Sequence, residues 1–229
     1  MPYFYLDTSY IIFVVPALIL AFWAQMKVSS TYSKFSSVPC RRGLTGAEVS
    51  EKILKLYGIY NVRIEPIAGN LTDCFDPRSN VIRLSEGVYN STSVAAIGVA
   101  AHETGHAIQH AQGYMPIKLR NAVIPVANIG SYAAFPLVIF GLIFSSSILV
   151  NVGIVLFSAV VAFQFVTLPV EFNASRRALT ILENQAILDG EDLKGAKKVL
   201  TAAALTYVAA AAVALGNLLR LISISNRKR

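Results

Sequence analysis

Long apolar runs separate short polar segments along the chain and predict membrane-spanning helices. Residues 121–170 contain no Asp, Glu, Lys or Arg. As one α-helix this run would be about 75 Å long, whereas a single crossing of the bilayer core needs only about 30 Å. The run therefore predicts a hairpin of two spans, 121–145 and 148–168, with a polar bend formed by the serines 145–147 and Asn151.

Two further apolar segments are long enough to span the membrane, at about 9–26 and about 199–219. The residues ahead of the first segment include an acid and no base, which is not typical of a secretory signal. We interpret that segment as a retained anchor, and the alanine-rich second segment as the weaker of the two patterns. The chain is thus predicted to be a mainly α membrane protein with about four transmembrane helices, folded as a single membrane-embedded domain over residues 1–229.

The polar segment 28–115 combines helical and β-prone patterns, which predicts a small α+β insertion. Thr45 and Glu48 have the spacing of a capping box, and apolar residues follow them at helical intervals. The β-prone stretches 61–67 and 80–85 are separated by turn-forming residues and predict a small sheet or hairpin.

A second helix is predicted to begin at the polar cluster 90–93 and to run from Val94 to about Gln112, ahead of Gly113. The stretch 80–85 directly precedes this helix. We therefore hypothesise that 80–85 presents an open strand edge with which an extended peptide could pair.

The basic residues flank the predicted spans and indicate membrane orientation rather than nucleic-acid binding. The net charge is +7, with eleven Lys and Arg between residues 27 and 120 and five between 171 and 198. The positive-inside rule places both segments in the cytoplasm. The basic tail 227–229 disagrees with this topology, because four complete spans would leave it on the opposite side.

Residues His102, Glu103 and His106 form an H-E-x-x-H sequence on the second predicted helix. Four-residue spacing places both imidazoles on one helix face, where they can bind one Zn²⁺ ion. Zinc lowers the pKa of bound water towards about 7, and the neighbouring Glu103 would accept and then deliver the proton. The motif therefore predicts a zinc-dependent peptide hydrolase with Glu103 as general base.

His110 follows the motif on the same helix, but it cannot share an ion with His102. The two residues are eight positions apart, about 12 Å along a regular helix, whereas zinc–nitrogen bonds are about 2 Å long. The extended metzincin pattern is also absent, because Gln109 and Gln112 stand where its glycine and third histidine would be. We expect His110 to face water or to support another ligand.

The third ligand must come from elsewhere, and the candidates are Glu171 and Asp189. Because 121–170 crosses the membrane twice, Glu171 emerges at the membrane surface on the side that carries His102. Asp189 lies in a Leu-Asp-Gly sequence similar to that of intramembrane site-2 proteases, but charged residues surround it, and the apolar stretch 94–101 is too short for a span. These observations favour Glu171, for which a helix start at the membrane interface is the structural alternative.

The chain resembles the YugP-like family of membrane zinc metallopeptidases in the segments AAHETGHAIQHA, LTDCFDPRSNVIRLSEGVY and VEFNASRRAL. The resemblance covers most of the chain. In that family the H-E-x-x-H sequence and a later glutamate are taken as the zinc ligands, a gluzincin arrangement also found in HtpX-type membrane proteases. The resemblance implies that His102, His106 and Glu171 bind zinc, that Glu103 is catalytic, and that the protein lies in a bacterial plasma membrane.

Three positions depart from the expected patterns. Cys74 stands where a histidine is common in the family, Asn173 where an aspartate is common, and Ser175 replaces the aspartate of the HtpX pattern. None of the three is predicted to be a ligand. We expect the change at Asn173 to weaken the orientation of a ligand histidine, and Cys74 to alter the substrate cleft.

The adjacent residues Arg176 and Arg177 follow Glu171 closely. One of them could pair with a carboxylate of the metal site or stabilise an oxyanion. Anchoring at the membrane surface is the commoner role of such residues and is the favoured interpretation.

Cys40 and Cys74 are the two cysteines of the chain. Neither lies in a C-x-x-C sequence, and a cytoplasmic location favours reduced thiols. We therefore expect two unpaired cysteines.

The sequence thus favours an integral-membrane zinc endopeptidase that acts on peptides or membrane proteins, with its active site facing the cytoplasm and no nucleic-acid partner. The alternative is a catalytically silent, zinc-stabilised membrane scaffold or chaperone, for which a fourth protein ligand would be evidence. A zinc or proton transporter is disfavoured, because transporters need ionisable residues within their spans and 121–170 has none.

Overall fold

The computed structural model describes residues 8–226, so the basic tail 227–229 lies outside the described residues. A π-helical segment, Tyr10–Val14, leads directly into the first α-helix. The helices are α1 (Val15–Ser36), α2 (Gly46–Leu56), α3 (Glu86–Tyr89), α4 (Val94–Ala111), α5 (Met115–Ile143), α6 (Ser147–Asn184) and α7 (Gly190–Asn226). The strands are β1 (Arg63–Ile67), β2 (Cys74–Asp76) and β3 (Val81–Ser85). The prediction of a mainly α protein with a small α+β insertion is confirmed.

Within the described residues, four helical segments have the length and apolar composition of a membrane crossing. They are Tyr10–Ser36, Met115–Ile143, Ser147–Asn184 and Gly190–Asn226. Each overlaps one of the predicted spans.

The bend between α5 and α6 is shorter than predicted. Ser145 has a φ of 53° in this turn, and α6 begins at Ser147. Asn151 therefore lies inside α6 and not in the bend. The helix also continues through Pro169 to Asn184, well beyond the predicted end of the span at residue 168.

The chain divides into two compact units. The first unit comprises the described parts of Met1–Gln25 and Leu205–Arg229 together with Lys118–Pro169, and the second unit comprises Met26–Ile117 and Val170–Ala204. The expectation of one domain over the whole chain stays a prediction.

The first unit has a small core of apolar side chains from its helices. Its buried members are Ala134, Val138, Phe157, Val161, Ala214 and Leu221. Phe157 also packs edge-to-face against Phe135, with ring centroids 5.3 Å apart. Many large apolar side chains of the candidate spans remain exposed, among them Ile129, Phe140, Ile148 and Val155. This distribution is typical of helices whose outer faces contact lipid.

The second unit contains a three-stranded sheet in the order β1-β3-β2. Strand β1 pairs with β3 in parallel, with Ile64 opposite Ile82, whereas β2 pairs with β3 antiparallel, with Phe75 opposite Ile82. The predicted stretches 61–67 and 80–85 do form strands of one sheet. They are not a hairpin, because β2 lies between them in sequence and reverses the chain direction.

The hypothesis that 80–85 offers an open edge is wrong. Strand β3 is the central strand and is paired on both sides, so its backbone groups already bond to β1 and β2. The short helix α3 also separates β3 from α4.

Both predicted helices of the insertion begin at the predicted caps. In α2, Thr45 Oγ1 accepts a hydrogen bond from the Glu48 backbone N–H (3.3 Å), and the Glu48 carboxylate accepts one from the Thr45 backbone N–H (2.8 Å). In α4, Ser93 Oγ accepts a hydrogen bond from the Ala96 backbone N–H at 3.2 Å. These side chains satisfy backbone donors that have no partner within the helix.

Helix α4 forms the centre of the second unit. Of its 18 residues, 13 are buried, and Ile97 and Ile108 join the main apolar core. That core also includes Val49, Ile53, Ile82, Leu84, Leu182 and Leu188 from the neighbouring elements. Because α4 carries the H-E-x-x-H sequence, the candidate site is built on a largely buried helix of its unit.

Candidate metal centre

His102 and His106 lie one turn apart on α4, and their rings meet edge-to-face with centroids 4.7 Å apart. Both side chains are largely buried, with exposed fractions of 13% and 12%. The spacing along α4 therefore places two imidazoles side by side, as the sequence predicts.

Glu171, on α6, meets these two histidines. Its Oε2 atom lies 3.3 Å from His102 Nε2 and 3.4 Å from His106 Nε2. These three residues form a group in which the possible ligand atoms all lie within 4.8 Å of one another. Glu171 lies well inside α6, so the alternative interpretation as the start of a helix at the interface does not hold.

The donor set and its spacing fit a zinc ion. Two atoms that each lie about 2.05 Å from a tetrahedral ion are separated by about 3.3 Å. The distances from Glu171 Oε2 to the two histidine nitrogens have that length. Two imidazole nitrogens and one carboxylate oxygen also match the usual ligands of catalytic zinc, which leave one coordination position for water or substrate.

Gly105 permits the close approach of α4 and α6 on which this convergence depends. A Cβ atom at Gly105 would lie 2.9 Å from the backbone oxygen of Ala174 and 3.4 Å from its Cα. Gly105 precedes His106, and Ala174 follows Glu171 by three residues. The absence of a side chain between the two helices thus brings ligands from different elements within reach of one another.

The outer nitrogen of each histidine ring has a polar partner. Ser175 Oγ lies 3.1 Å from His102 Nδ1, and Gln109 Oε1 lies 3.0 Å from His106 Nδ1. An amide oxygen can only accept, so the His106 Nδ1–H donates to Gln109, and Nε2 is the ring nitrogen that faces Glu171. Such contacts orient ligand histidines in metal sites.

Glu103 is a buried carboxyl group that directly follows His102 on α4. The pKa of Glu103 is raised above its usual value, first of all because burial disfavours the ionised form. The two histidines act in the opposite direction, and the carboxylates of Glu171 and Asp73 add to the rise. A rise in pKa makes this carboxylate a stronger base than an exposed glutamate, which favours a role as general base.

Asp73 and Cys74 lie near Glu103, where strand β2 begins. Asp73 accepts hydrogen bonds from the Ser85 backbone N–H (2.7 Å) and from Ser85 Oγ (3.1 Å), and burial raises its pKa. Burial and the nearby Glu103 carboxylate also raise the pKa of the Cys74 thiol. One residue further on, the Phe75 ring lies 5.8 Å from the ring of His110. Strand β2 therefore lies beside α4.

The other sequence candidates are not part of the three-residue group. Asp189 is exposed at the start of α7, where its backbone oxygen accepts hydrogen bonds from Asp192 and Leu193. His110 is exposed, in agreement with the prediction that it faces water. Arg176 is exposed as well.

Arg177 contacts neither of the metal-site carboxylates in the hydrogen bonds and ion pairs of the described residues. Its Nε donates to Asn173 Oδ1 (2.7 Å), and its terminal nitrogen donates to Gln112 Oε1 (2.6 Å). The cysteine prediction is confirmed, since Cys40 and Cys74 are both free thiols.

The contacts of Gln109 and Ser175 with the histidine rings are not predicted by the sequence analysis. A spacing signal does exist for each of them. Gln109 follows His106 by three residues and Ser175 follows Glu171 by four, so each shares a helix face with a candidate ligand. That spacing alone does not show which ring each side chain meets.

Comparison with known proteins identifies the family of the chain. The family model described as "Putative neutral zinc metallopeptidase" matches residues 10–226. The chain is 48% identical to "Putative membrane protease YugP" of Bacillus subtilis (strain 168) over 215 residues, which cover 94% of this chain and 96% of that protein. No solved structure matches the chain. The chain belongs to the family described as putative neutral zinc metallopeptidases.

Proposed function

We propose that the protein is an integral-membrane zinc-dependent endopeptidase. The observation that carries the proposal is the convergence of His102 Nε2 and His106 Nε2 on Glu171 Oε2, at 3.3 and 3.4 Å, separations suited to ligands of one zinc ion. The family and the membrane protease relative support the same activity. His102, His106 and Glu171 would hold the metal, and Glu103 would act as the catalytic base.

A bound zinc ion would supply Lewis-acid activation of a water molecule and of the scissile carbonyl group. The Glu103 carboxylate would take one proton from the attacking water and deliver it to the leaving amine. The hydrogen bonds of Ser175 and Gln109 would keep the two histidine rings in the orientation that presents Nε2 to the metal. Burial of Glu103 would keep its proton exchange separate from bulk water.

The donor count favours an enzyme over a zinc-stabilised scaffold. A closed structural site usually has four protein ligands, whereas a catalytic site has three and keeps one position open. Among the described residues, the group around His102, His106 and Glu171 has only these three members. Cys74 lies near Glu103 but does not belong to that group.

The apolar helices and the membrane protease relative place the protein in a membrane. We extend this to a bacterial plasma membrane, because the relative is a bacterial protein. We also propose that the active site faces the cytoplasm, because the segments 27–120 and 171–198 carry most of the basic residues. Substrates would be peptide segments of membrane proteins or of proteins bound at that surface.

The test compares wild-type protein with Glu103→Gln in detergent or lipid vesicles, measuring bound zinc and cleavage of an unstructured protein such as casein. Asp189→Asn is the matched control, because it makes the same carboxylate-to-amide change at an exposed position outside the site. We expect all three proteins to bind about one zinc ion per chain, and Glu103→Gln to lose at least about 100-fold in cleavage rate.

Two results would contradict the proposal. Equal cleavage by wild type and Glu103→Gln would exclude Glu103 as the base. Stoichiometric zinc without cleavage of any substrate by wild type would favour the scaffold or chaperone.

A further inference from the structure

We propose that Gln109 is a positioning residue that holds His106 and Glu171, which come from different helices, in register for one metal ion. The inference rests on the proposed function, because it assigns these two residues as zinc ligands. It starts from the surroundings of the Gln109 side chain. This polar residue has an exposed fraction of 0%.

Both polar atoms of the Gln109 amide make hydrogen bonds. Oε1 accepts from His106 Nδ1 at 3.0 Å, while Nε2 donates to the backbone oxygen of Val170 at 2.8 Å and to Asn173 Oδ1 at 2.9 Å. One oxygen facing a donor and one NH₂ group facing two acceptors fix the orientation of the amide. They also fix the proton of His106 on Nδ1.

The bond to Val170 ties this side chain to the second ligand. Val170 directly precedes Glu171, so the Gln109 amide donates a hydrogen bond to the α6 backbone one residue before the ligand carboxylate. A shift of α6 relative to α4 would break this bond and would move Glu171 at the same time. The orientation of His106 and the placement of Glu171 are thus coupled through one buried amide.

A second group of contacts holds the Asn173 acceptor in place. Asn173 Oδ1 also accepts from Arg177 Nε at 2.7 Å, and Arg177 in turn donates to Gln112 Oε1 at 2.6 Å. The Arg177 guanidinium lies 5.9 Å from the centre of the Tyr114 ring. Gln112 and Tyr114 follow the end of α4, so these contacts connect that end of the helix to α6.

This arrangement requires an amide at position 109. A glutamate there could still accept from His106, but its second oxygen would face the oxygens of Val170 and Asn173 without a hydrogen to share. A leucine would preserve the volume and remove all three bonds. Position 173 has a different requirement, because the contacts described above use only Oδ1 of Asn173, and an aspartate would keep that acceptor.

The experiment measures zinc affinity by chelator competition, and the absorption spectrum of the cobalt-substituted protein, for four variants. Gln109→Leu and Asn173→Leu remove bonds next to the ligands, Asn173→Asp keeps the acceptor, and Gln112→Leu is the control at the outermost contact. We expect Gln109→Leu to weaken zinc binding by about 10- to 100-fold and to alter the cobalt spectrum. Asn173→Leu should weaken zinc binding by a smaller factor, whereas the zinc affinities of Asn173→Asp and Gln112→Leu should stay within about threefold of wild type.

The proposal is overturned if folded Gln109→Leu retains the zinc affinity and the cobalt spectrum of wild type. If Gln109→Leu does not fold, the comparison at position 173 decides. Equal affinities of the Asn173→Leu and Asn173→Asp variants would then exclude the positioning role. Because these readouts need no cleavage, a wild type that binds zinc without cutting peptides would refute the proposed function alone.

Discussion

Gly105→Ala tests whether the close approach of α4 and α6 sets the geometry of the metal site. The added Cβ would lie 2.9 Å from the backbone oxygen of Ala174, whereas ordinary contacts begin at 3.4 Å. One of the helices must therefore move by about 0.5 Å, because a backbone atom cannot rotate away as a side chain can. Glu171 would move with α6, or His102 and His106 with α4.

The magnitude follows from the overpacking and from the metal geometry. Inserting a methyl group into a packed contact costs about 1–3 kcal/mol, and the better helix propensity of alanine offsets up to about 1 kcal/mol of that. The net loss of stability is therefore about 0–3 kcal/mol. Zinc ligand bonds are only about 2 Å long, so a displacement of about 0.5 Å should weaken zinc binding by about 10-fold or more.

Gly98→Ala is the matched control, because it is the same change on the same helix. Its Cβ would meet the Ala196 Cβ at 3.4 Å, which is an ordinary contact. We expect Gly98→Ala to keep the zinc affinity and the stability of wild type, or to gain up to about 1 kcal/mol of stability. Zinc affinity is measured by chelator competition and stability by thermal unfolding in detergent. Equal zinc affinities of the two variants would refute the reasoning.

Three further predictions concern the site and the sheet. Ser175→Ala should weaken zinc binding by about 10-fold in chelator competition. Ser175→Thr should keep the hydroxyl group near His102 and bind zinc about as tightly as wild type. Equal zinc affinities of the two variants would exclude a role for this contact. Removing zinc with a chelator should lower the unfolding temperature, since a ligand at 100 times its Kd stabilises by about 2.7 kcal/mol. The His106→Ala variant should show no such shift, and an equal shift would place the metal elsewhere. At Asp76, hydrogen bonds, first of all the one from Ser79, lower the pKa to about 2. The ionised carboxylate therefore stabilises the fold above pH about 3.8, and this stabilisation is lost as the pH falls towards 2. With a chelator present, the stability difference between wild type and Asp76→Asn should be constant from pH 7 to about 5 and smaller at about pH 2.5. A difference that grows in acid would contradict the assignment.

The elements predicted correctly are those that depend on residues close together in the sequence. The capping side chains Thr45 and Ser93 satisfy backbone donors within three residues, so the starts of α2 and α4 can be read from short sequences. The sheet depends on distant pairing. Strand β2 has only three residues and no alternating pattern, so the sequence predicts neither this strand nor the parallel pairing that it imposes on β1 and β3.

The candidate site divides in the same way. His102, Glu103 and His106 are recognisable because the chemistry lies within one helical turn and a half. Glu171 and Asp189 remain alternatives in the sequence, and only the three-dimensional positions distinguish the residue that meets the histidines. The sequence argument from two membrane crossings favours Glu171 but gives no distances.

The burial of α4 has a consequence for how inactive mutants of this protein are interpreted. Substitutions at Ala96 or Ala100, which are fully enclosed, would disturb the packing that supports the reactive groups. A genetic screen for lost activity would therefore recover such positions as readily as Glu103. Protein abundance must be measured alongside activity in each mutant, because only mutants that accumulate normally and remain inactive identify residues of the chemistry itself.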